Sequence, residues 1–121
     1  MFDRLTETCG KGSAIAALAP GLYWDLMLQS GDNEYAIRIE NGAVIAANAG
    51  PHVMPSWQTR LAAPTEEWAA FLEPVPGPGH HDVIALLRRG AMRFEGDLHP
   101  LMANLYYTKR VLASLRPEVA T

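Results

Sequence analysis

Hydrophobic and polar positions alternate through much of the first half of the chain and recur at helical spacing through much of the second. In LYWDLMLQ, residues 22–29, Leu22, Trp24, Leu26 and Leu28 fall on one side of an extended backbone, and Tyr23, Asp25, Met27 and Gln29 fall on the other. The pattern predicts a strand with one strongly apolar face. SGDNE then supplies the turn-tolerant Gly31, Asp32 and Asn33. YAIRIE, residues 35–40, alternates again, with Tyr35, Ile37 and Ile39 opposed to Arg38 and Glu40. Asn41-Gly42 is a favoured pair for a tight two-residue turn with positive φ, so AVIAANA, residues 43–49, continues as a third strand. After the connection GPHVMPSWQ, TRLAAP, residues 59–64, is short and alternating enough for a fourth strand closed by Pro64.

The period then changes. Thr65 is a helix-capping residue type, Glu66 and Glu67 suit the positive end of a helix, and Trp68, Phe71 and Leu72 share one helical face. The proline-rich EPVPGPGHHD stops that helix, because proline lacks the amide donor and clashes with a continuing turn. Asp82 caps a second helix carrying Val83, Ile84, Leu86 and Leu87, with Arg88 and Arg89 in its last turn and Gly90 at its stop. AMRFEG alternates Met92 and Phe94 against Arg93 and Glu95 and predicts a last strand. Asp97 caps the longest helix, whose apolar stripe is Leu98, Leu101, Met102, Leu105, Tyr106 and Leu112 and whose end is Arg116-Pro117. Strand, strand, strand, strand, helix, helix, strand, helix is the order of an α+β fold. It implies a meander of antiparallel strands with helices laid on one face. Residues 1–20 define little: Phe2 and Leu5 suit one anchored turn, and Gly10, Gly12 and Pro20 interrupt anything longer.

Composition narrows the function classes. A chain of 121 residues suits one domain spanning residues 1–121, and 49% hydrophobic with 19% charged residues implies a globular, soluble protein. A net charge of −3 without a Lys/Arg cluster argues against nucleic acid. Cys9 is the only cysteine, which excludes an internal disulfide and any multi-cysteine metal site and suits a reducing cytoplasm. No apolar run approaches the roughly 20 residues that span a bilayer, and MFDRLTETCGKGS lacks the basic and apolar regions of a signal peptide. Neither integral membrane association nor export by such a signal is expected. No cofactor is implied.

Three stretches together resemble the sterol carrier protein, or nonspecific lipid-transfer, family: YAIRIENGAVIAANAG, RLAAPTEEWAAFL and above all RRGAMRFEGDLHPLMANL. In that family a glycine precedes a short strand, a Gly-Asp pair ends it, and an apolar helix begins at the aspartate; Gly90, Gly96 and Asp97 stand at those places here. The resemblance extends over residues 21–115 and rests on the order of these features. It implies a twisted, mostly antiparallel sheet of about five strands with helices packed on one face, and between the two layers an apolar cavity or tunnel, filled by a sterol, a fatty-acyl compound or a phospholipid chain without chemistry upon it. The chain departs from the family pattern at MFDRLTETCGKGSAIAALAP, which does not form an evident amphipathic helix, and at EPVPGPGHHDVIALLRRG, a longer connection than is common there.

Residue types with chemical potential qualify this expectation little. Imidazole titrates near neutrality, which makes His80 and His81 beside Asp82 the best acid/base candidates, although Asp82 is explained by capping and neighbouring residues point apart. No catalytic residue is therefore assigned. A metal site would have to gather His52, His80, His81 or His99 from separate loops without a thiolate, and none is expected. CGKGS lacks the spacing of a phosphate-binding loop, Cys9 lacks an adjacent activating histidine, and Ser30 and Ser56 lack a nucleophile elbow. The expected ligand-lining set is Trp57, Trp68, Phe71, Leu72, His80, His81, Ile84, Leu87, Met92, Phe94, Met102, Leu105 and Tyr106. Wide aromatic and thioether side chains accommodate irregular apolar ligands as readily as they fill a core. EPVPGPGHHD becomes a semi-rigid lid, stiffened by its prolines, with a histidine facing the ligand's polar head. A small enzyme using His80 or His81 on a hydrophobic substrate, and an interaction module with an apolar groove, are the alternatives. An open sheet edge also suits a homodimer.

Overall fold

The computed structural model describes residues 2–50 and 57–116. Five strands, β1 (Trp24–Ser30), β2 (Asn33–Glu40), β3 (Ala43–Gly50), β4 (Thr59–Ala63) and β5 (Arg93–Gly96), form one open sheet in the order β3-β2-β1-β4-β5. The helices are α1 (Leu5–Thr8), α2 (Thr65–Phe71), α3 (Val83–Arg88), α4 (His99–Ala103) and α5 (Leu105–Ala113), with a short 3-10 turn at Ala16–Leu18. This is an α+β fold. The connection bearing His52 and Ser56, and the expected stop at Pro117, lie outside the described residues.

The first three strands follow their alternation as an antiparallel meander, Leu26 opposite Ile37 and Ile37 opposite Ala47. The fourth departs from it: β4 lies beside β1 and runs parallel to it, from Leu26 opposite Thr59 to Ser30 opposite Ala63. A five-residue alternating segment looks the same whichever neighbour it finds, so the sheet is mixed where the pattern alone suggested a simple meander. At the β2–β3 turn, Asn41 and Gly42 both have positive φ, 52° and 79°. A Cβ at Gly42 would stand 2.5 and 2.6 Å from the carbonyl oxygens of Ala16 and Ala19. The turn therefore needs glycine twice over: for its backbone and for the close approach of the N-terminal segment.

One face of the sheet contributes Trp24, Leu26, Leu28, Ile37, Ile39 and Leu61 to the core, closed over by Trp68, Phe71, Val83, Leu86, Leu101, Val111 and Leu112 and, from the N-terminal segment, Phe2 and Leu5. Phe2 and Leu5 are fully buried, so the one anchored turn at α1 carries weight out of proportion to its length. Met27, assigned by alternation to the polar side of β1, is also buried; on this central strand it lies in register between Ala36 of β2 and Arg60 of β4.

Three helical expectations are corrected. Thr65 is not a cap: the extended Pro64 precedes α2, and the Thr65 hydroxyl oxygen accepts a hydrogen bond from Ser30 at 3.2 Å. The long C-terminal helix is broken at Asn104, with φ −126° and ψ 38°, where the Asn104 amide donates to the Pro100 carbonyl at 2.9 Å and Thr108 donates to the Asn104 carbonyl at 3.0 Å. Side-chain bonds of this kind compete with the helical ladder. The break leaves Leu101, Tyr107, Thr108, Val111 and Leu112 facing inward, while Met102 and Tyr106 are 52% and 62% exposed. Nor does Asp97 occupy the cap of its helix: Leu98 stands there without a side-chain cap bond, and Asp97, one residue earlier, accepts from the His99 amide at 3.0 Å.

Candidate functional site

The widest apolar side chains meet where α2 lies on the sheet. Trp68 and Phe71, three residues apart and on one face of α2, have ring centroids 5.9 Å apart in an edge-to-face arrangement. Phe2 continues the chain of rings, 4.9 Å from Trp68 and 5.0 Å from Tyr35, both edge-to-face. The buried Trp68 indole is satisfied by its Nε1 donating to the Gln29 carbonyl at 2.8 Å. Sheet, α2 and N-terminal segment are thereby joined by one aromatic cluster.

A strap, residues 73–81, follows α2 and is held by charged side chains. The Arg116 guanidinium donates through Nε to the Phe71 carbonyl at 2.7 Å and through Nη2 to the His81 carbonyl at 2.7 Å and the His80 carbonyl at 3.5 Å. It also lies 4.4 Å from the centroid of the Phe71 ring. One side chain thus staples the two ends of the strap. Beside that second staple point, His80 Nε2 is 2.9 Å from Glu67 Oε2, and Arg89 Nη1 donates to the same oxygen at 3.0 Å. The Arg89 hydrogen bond, with the help of His80, holds the Glu67 carboxyl below the usual carboxylate range. At the strap's far end Asp82 accepts from the Ala85 amide at 2.9 Å, capping α3, and pairs with Lys109 of α5 at 3.4 Å. Burial pushes the Asp82 carboxyl up, but the Ala85 amide and Lys109 outweigh it and leave it lowered.

The residues expected to line a ligand divide into three groups. Trp68, Phe71 and Met92 are buried in the core, with Leu72, Phe94 and Leu105 packed partly buried against it. His80 is half-buried on the strap and Ile84 is half-buried on α3, whose inward face is Val83 and Leu86; His81 is exposed. Leu87, Met102 and Tyr106 face outward, and Trp57 lies apart, half-buried, with the Arg60 guanidinium 6.0 Å from its ring centroid. The Trp57 ring also approaches β5, where a Cβ at Gly96 would stand 2.7 Å from it. Sequence patterning missed Phe2 as a cluster member, because no periodicity surrounds it. It also missed Glu67 and Arg116 as anchors, because their partners are distant along the chain.

The space between the layers is occupied by these side chains. A cleft of about 470 Å³ opens instead at the carboxyl ends of the parallel β1 and β4, bordered by Gln29, Asp32, Ala62, Ala63, Glu67 and Arg93. None of the expected lining residues borders it, although Glu67 connects it to the strap. Around His80 the hydrogen-bond partners are Glu67, Arg89 and the Pro78 carbonyl, and no hydroxyl or thiol is bonded to it among the described residues. The imidazole is oriented by a carboxylate, as acid/base work requires, but no protein nucleophile accompanies it. Among the described residues no helix is long and apolar enough to cross a membrane.

No family model matches the chain, and no curated protein matches it in sequence. Solved structures do match it in shape. A conserved hypothetical protein of Thermus thermophilus, a candidate sterol carrier protein, superposes with a TM-score of 0.65 at 13% identity, covering 98% of this chain and 87% of that one. The sterol carrier protein domain 2 of Helicoverpa armigera gives 0.53 at 14% identity, again over 98% of this chain and 87% of that one. The inverting sec-alkylsulfatase Pisa1 from Pseudomonas sp. gives 0.58 at 16% identity over 98% of this chain, but only 16% of the sulfatase is involved. The chain has the sterol carrier protein fold, and that fold occurs both in compact proteins and as a small part of a larger enzyme.

Proposed function

We propose that this chain binds and carries a hydrophobic small molecule, sterol-like or fatty-acyl, in the apolar layer between sheet and helices, without chemistry upon it. The observation that carries the reading is the aromatic cluster Phe2–Trp68–Phe71. It is walled on one side by the rigid sheet and on the other by a strap that polar anchors hold in place. Polar anchors exchange with water at small net cost, whereas an apolar seal would have to be re-formed, so this wall can yield. A ligand gains about 25 cal/mol per Å² of apolar surface it buries, and space opened in a packed core costs about 24 cal/mol per Å³. It must therefore take the place of side chains that swing aside, and the ring faces of Trp68 and Phe71 are the contacts it would inherit. The buried free thiol Cys9 suits a reducing cytoplasm as the place of action.

The experiment is a titration of the lipid-free protein with a fluorescent fatty-acyl probe, followed by energy transfer from tryptophan and repeated with Trp68→Phe. Saturable transfer that drops in the variant supports binding beside Trp68; probe partition without saturation opposes it. The Glu67–His80 pair favours one second reading, a small enzyme with His80 as its base. Changing His80 and His81 to alanine separates the two: turnover would fall by about two to four orders of magnitude in an enzyme, and affinity only modestly in a carrier.

A further inference from the structure

The layer between sheet and helices is filled by side chains, so a ligand there has to displace some of them, and the elements that cover the sheet are not held alike. α2 is tied to the sheet by Trp68 Nε1 on the Gln29 carbonyl at 2.8 Å. α5 is tied by the Tyr107 hydroxyl, which donates to the Gly42 carbonyl at 2.6 Å, and α3 is tied to α5 through Asp82 and Lys109, 3.4 Å apart. The N-terminal turn is closed on itself. Leu5 N donates to the Phe2 carbonyl at 3.2 Å, Thr8 N to the Arg4 carbonyl at 3.0 Å and Cys9 N to the Leu5 carbonyl at 2.9 Å, and Arg4 pairs with Glu7 on the exposed side at 3.4 Å. Thr8 and Cys9 join it to the body: Ser114 Oγ donates to Thr8 Oγ1 at 2.8 Å, and the Val44 amide donates to the Cys9 carbonyl at 2.9 Å. Ahead of that hinge, Phe2 and Leu5 are retained by the burial of their side chains.

Side chains held in this way are the ones an apolar ligand can replace like for like. Phe2 and Leu5 stand three residues apart on one turn, about 4.5 Å along its axis, and both are fully buried, while Arg4, Thr6 and Glu7 between and beside them are exposed. The Phe2 ring lies between Tyr35 and Trp68, 5.0 and 4.9 Å away and edge-to-face with each, so a single ring fills the gap between those two. We propose that this space is the seat of a fatty-acyl chain and that the turn carrying Phe2 and Leu5 is its stand-in, which fills the seat in the lipid-free protein and swings out about Thr8 and Cys9 when the acyl chain enters. A flexible chain threads a gap of that width, whereas a fused sterol ring system would have to part Tyr35 from Trp68 as well. The apolar area exposed by the departing turn is offset by the area the acyl chain buries. Once detached, a four-residue turn does not keep its helical bonds, because so short a helix is not stable in water. The inference rests on the carrier reading and adds to it which side chains give way.

The test is amide hydrogen exchange of the native chain with and without lauric acid, binding being followed separately through the isotope-labelled carboxyl carbon of the acid. A ligand that binds the folded state ordinarily slows exchange. Here the Thr8 and Cys9 amides should exchange roughly tenfold faster in the bound state, while the Gly31 amide, bonded to the Ala63 carbonyl, is slowed or unchanged. Phe2→Ala should bind lauric acid about tenfold more tightly than the native chain, because no phenyl ring has to be expelled. A Phe2 that only lined the site would weaken binding when removed. Bound acid with Thr8 and Cys9 still protected, or weaker binding by Phe2→Ala, overturns the inference and leaves the carrier reading standing; no binding to either chain overturns both. Cholesterol that opened the turn as lauric acid does would overturn the assignment of the seat to an acyl chain. Should Phe2→Ala not fold, exchange in the native chain decides alone.

Discussion

The guanidinium of Arg116 lies 4.4 Å from the centroid of the Phe71 ring and donates to the carbonyl of that same residue at 2.7 Å. The pair joins the end of α5 to the end of α2 across 45 positions of sequence. Its two components are of different kinds, attraction to the ring face and a charge-assisted hydrogen bond, and a lysine reproduces them only in part. Arg116→Ala is expected to lower stability by about 2–3 kcal/mol and Arg116→Lys by about half as much, read from the urea midpoint at unchanged slope. Equal losses in the two variants would mean that charge geometry at this position does not matter.

Phe71 is itself one of the rings a ligand would touch. Phe71→Ala leaves space in a filled layer and should cost about 3–5 kcal/mol. A ligand that binds only the folded protein recovers stability in proportion to its affinity. Added fatty acid should therefore raise the melting temperature of Phe71→Ala by more than it raises that of the native chain. No difference between them would move the ligand away from α2.

Acid should loosen the strap. Glu67, lowered chiefly by the Arg89 hydrogen bond, and Asp82, lowered on balance despite its burial, both hold their charge further into acid in the folded state than in the unfolded chain. Groups of this kind contribute stability that is fully present above their ordinary values near 4 and is lost as pH falls through the depressed ones. Thermal melts between pH 7 and 3 should show a shallower acid-induced decline in Glu67→Gln/Asp82→Asn than in the native chain. Parallel curves would show that other carboxylates govern acid sensitivity.

Met102 and Tyr106 face outward on α4 and α5. Met102→Ser and Tyr106→Ser should each change stability by no more than about 0.5 kcal/mol and leave probe affinity unaltered. A loss of affinity in either would place the ligand on the outer face of the C-terminal helices and not between the layers.

Patterning along the chain foretold a good deal of this fold and less of its site. Alternation at Trp24, Leu26 and Leu28, the Asn41-Gly42 turn, the Asp82 cap and the Gly90 stop all report local backbone preference, and each is present. The parallel pairing of β4 with β1 and the break at Asn104 were hidden, the first because a strand's neighbour is a tertiary matter, the second because Asn104 interrupts a stripe whose spacing continues past it. The site suffered more. Trp68 and Met102 are equally apolar in sequence yet lie on opposite sides of their helices, and the anchors Glu67 and Arg116 acquire meaning only when residues 22 to 45 positions away arrive beside them.

The most direct test of the carrier account is native mass spectrometry of the protein as purified from its expression host, followed by organic extraction of anything bound. The account predicts a defined mass increment that is released as a fatty acid, a sterol or another long-chain lipid. A clean unliganded mass, together with no thermal shift across a panel of acyl chains and sterols, would contradict it and leave the aromatic cluster as ordinary core.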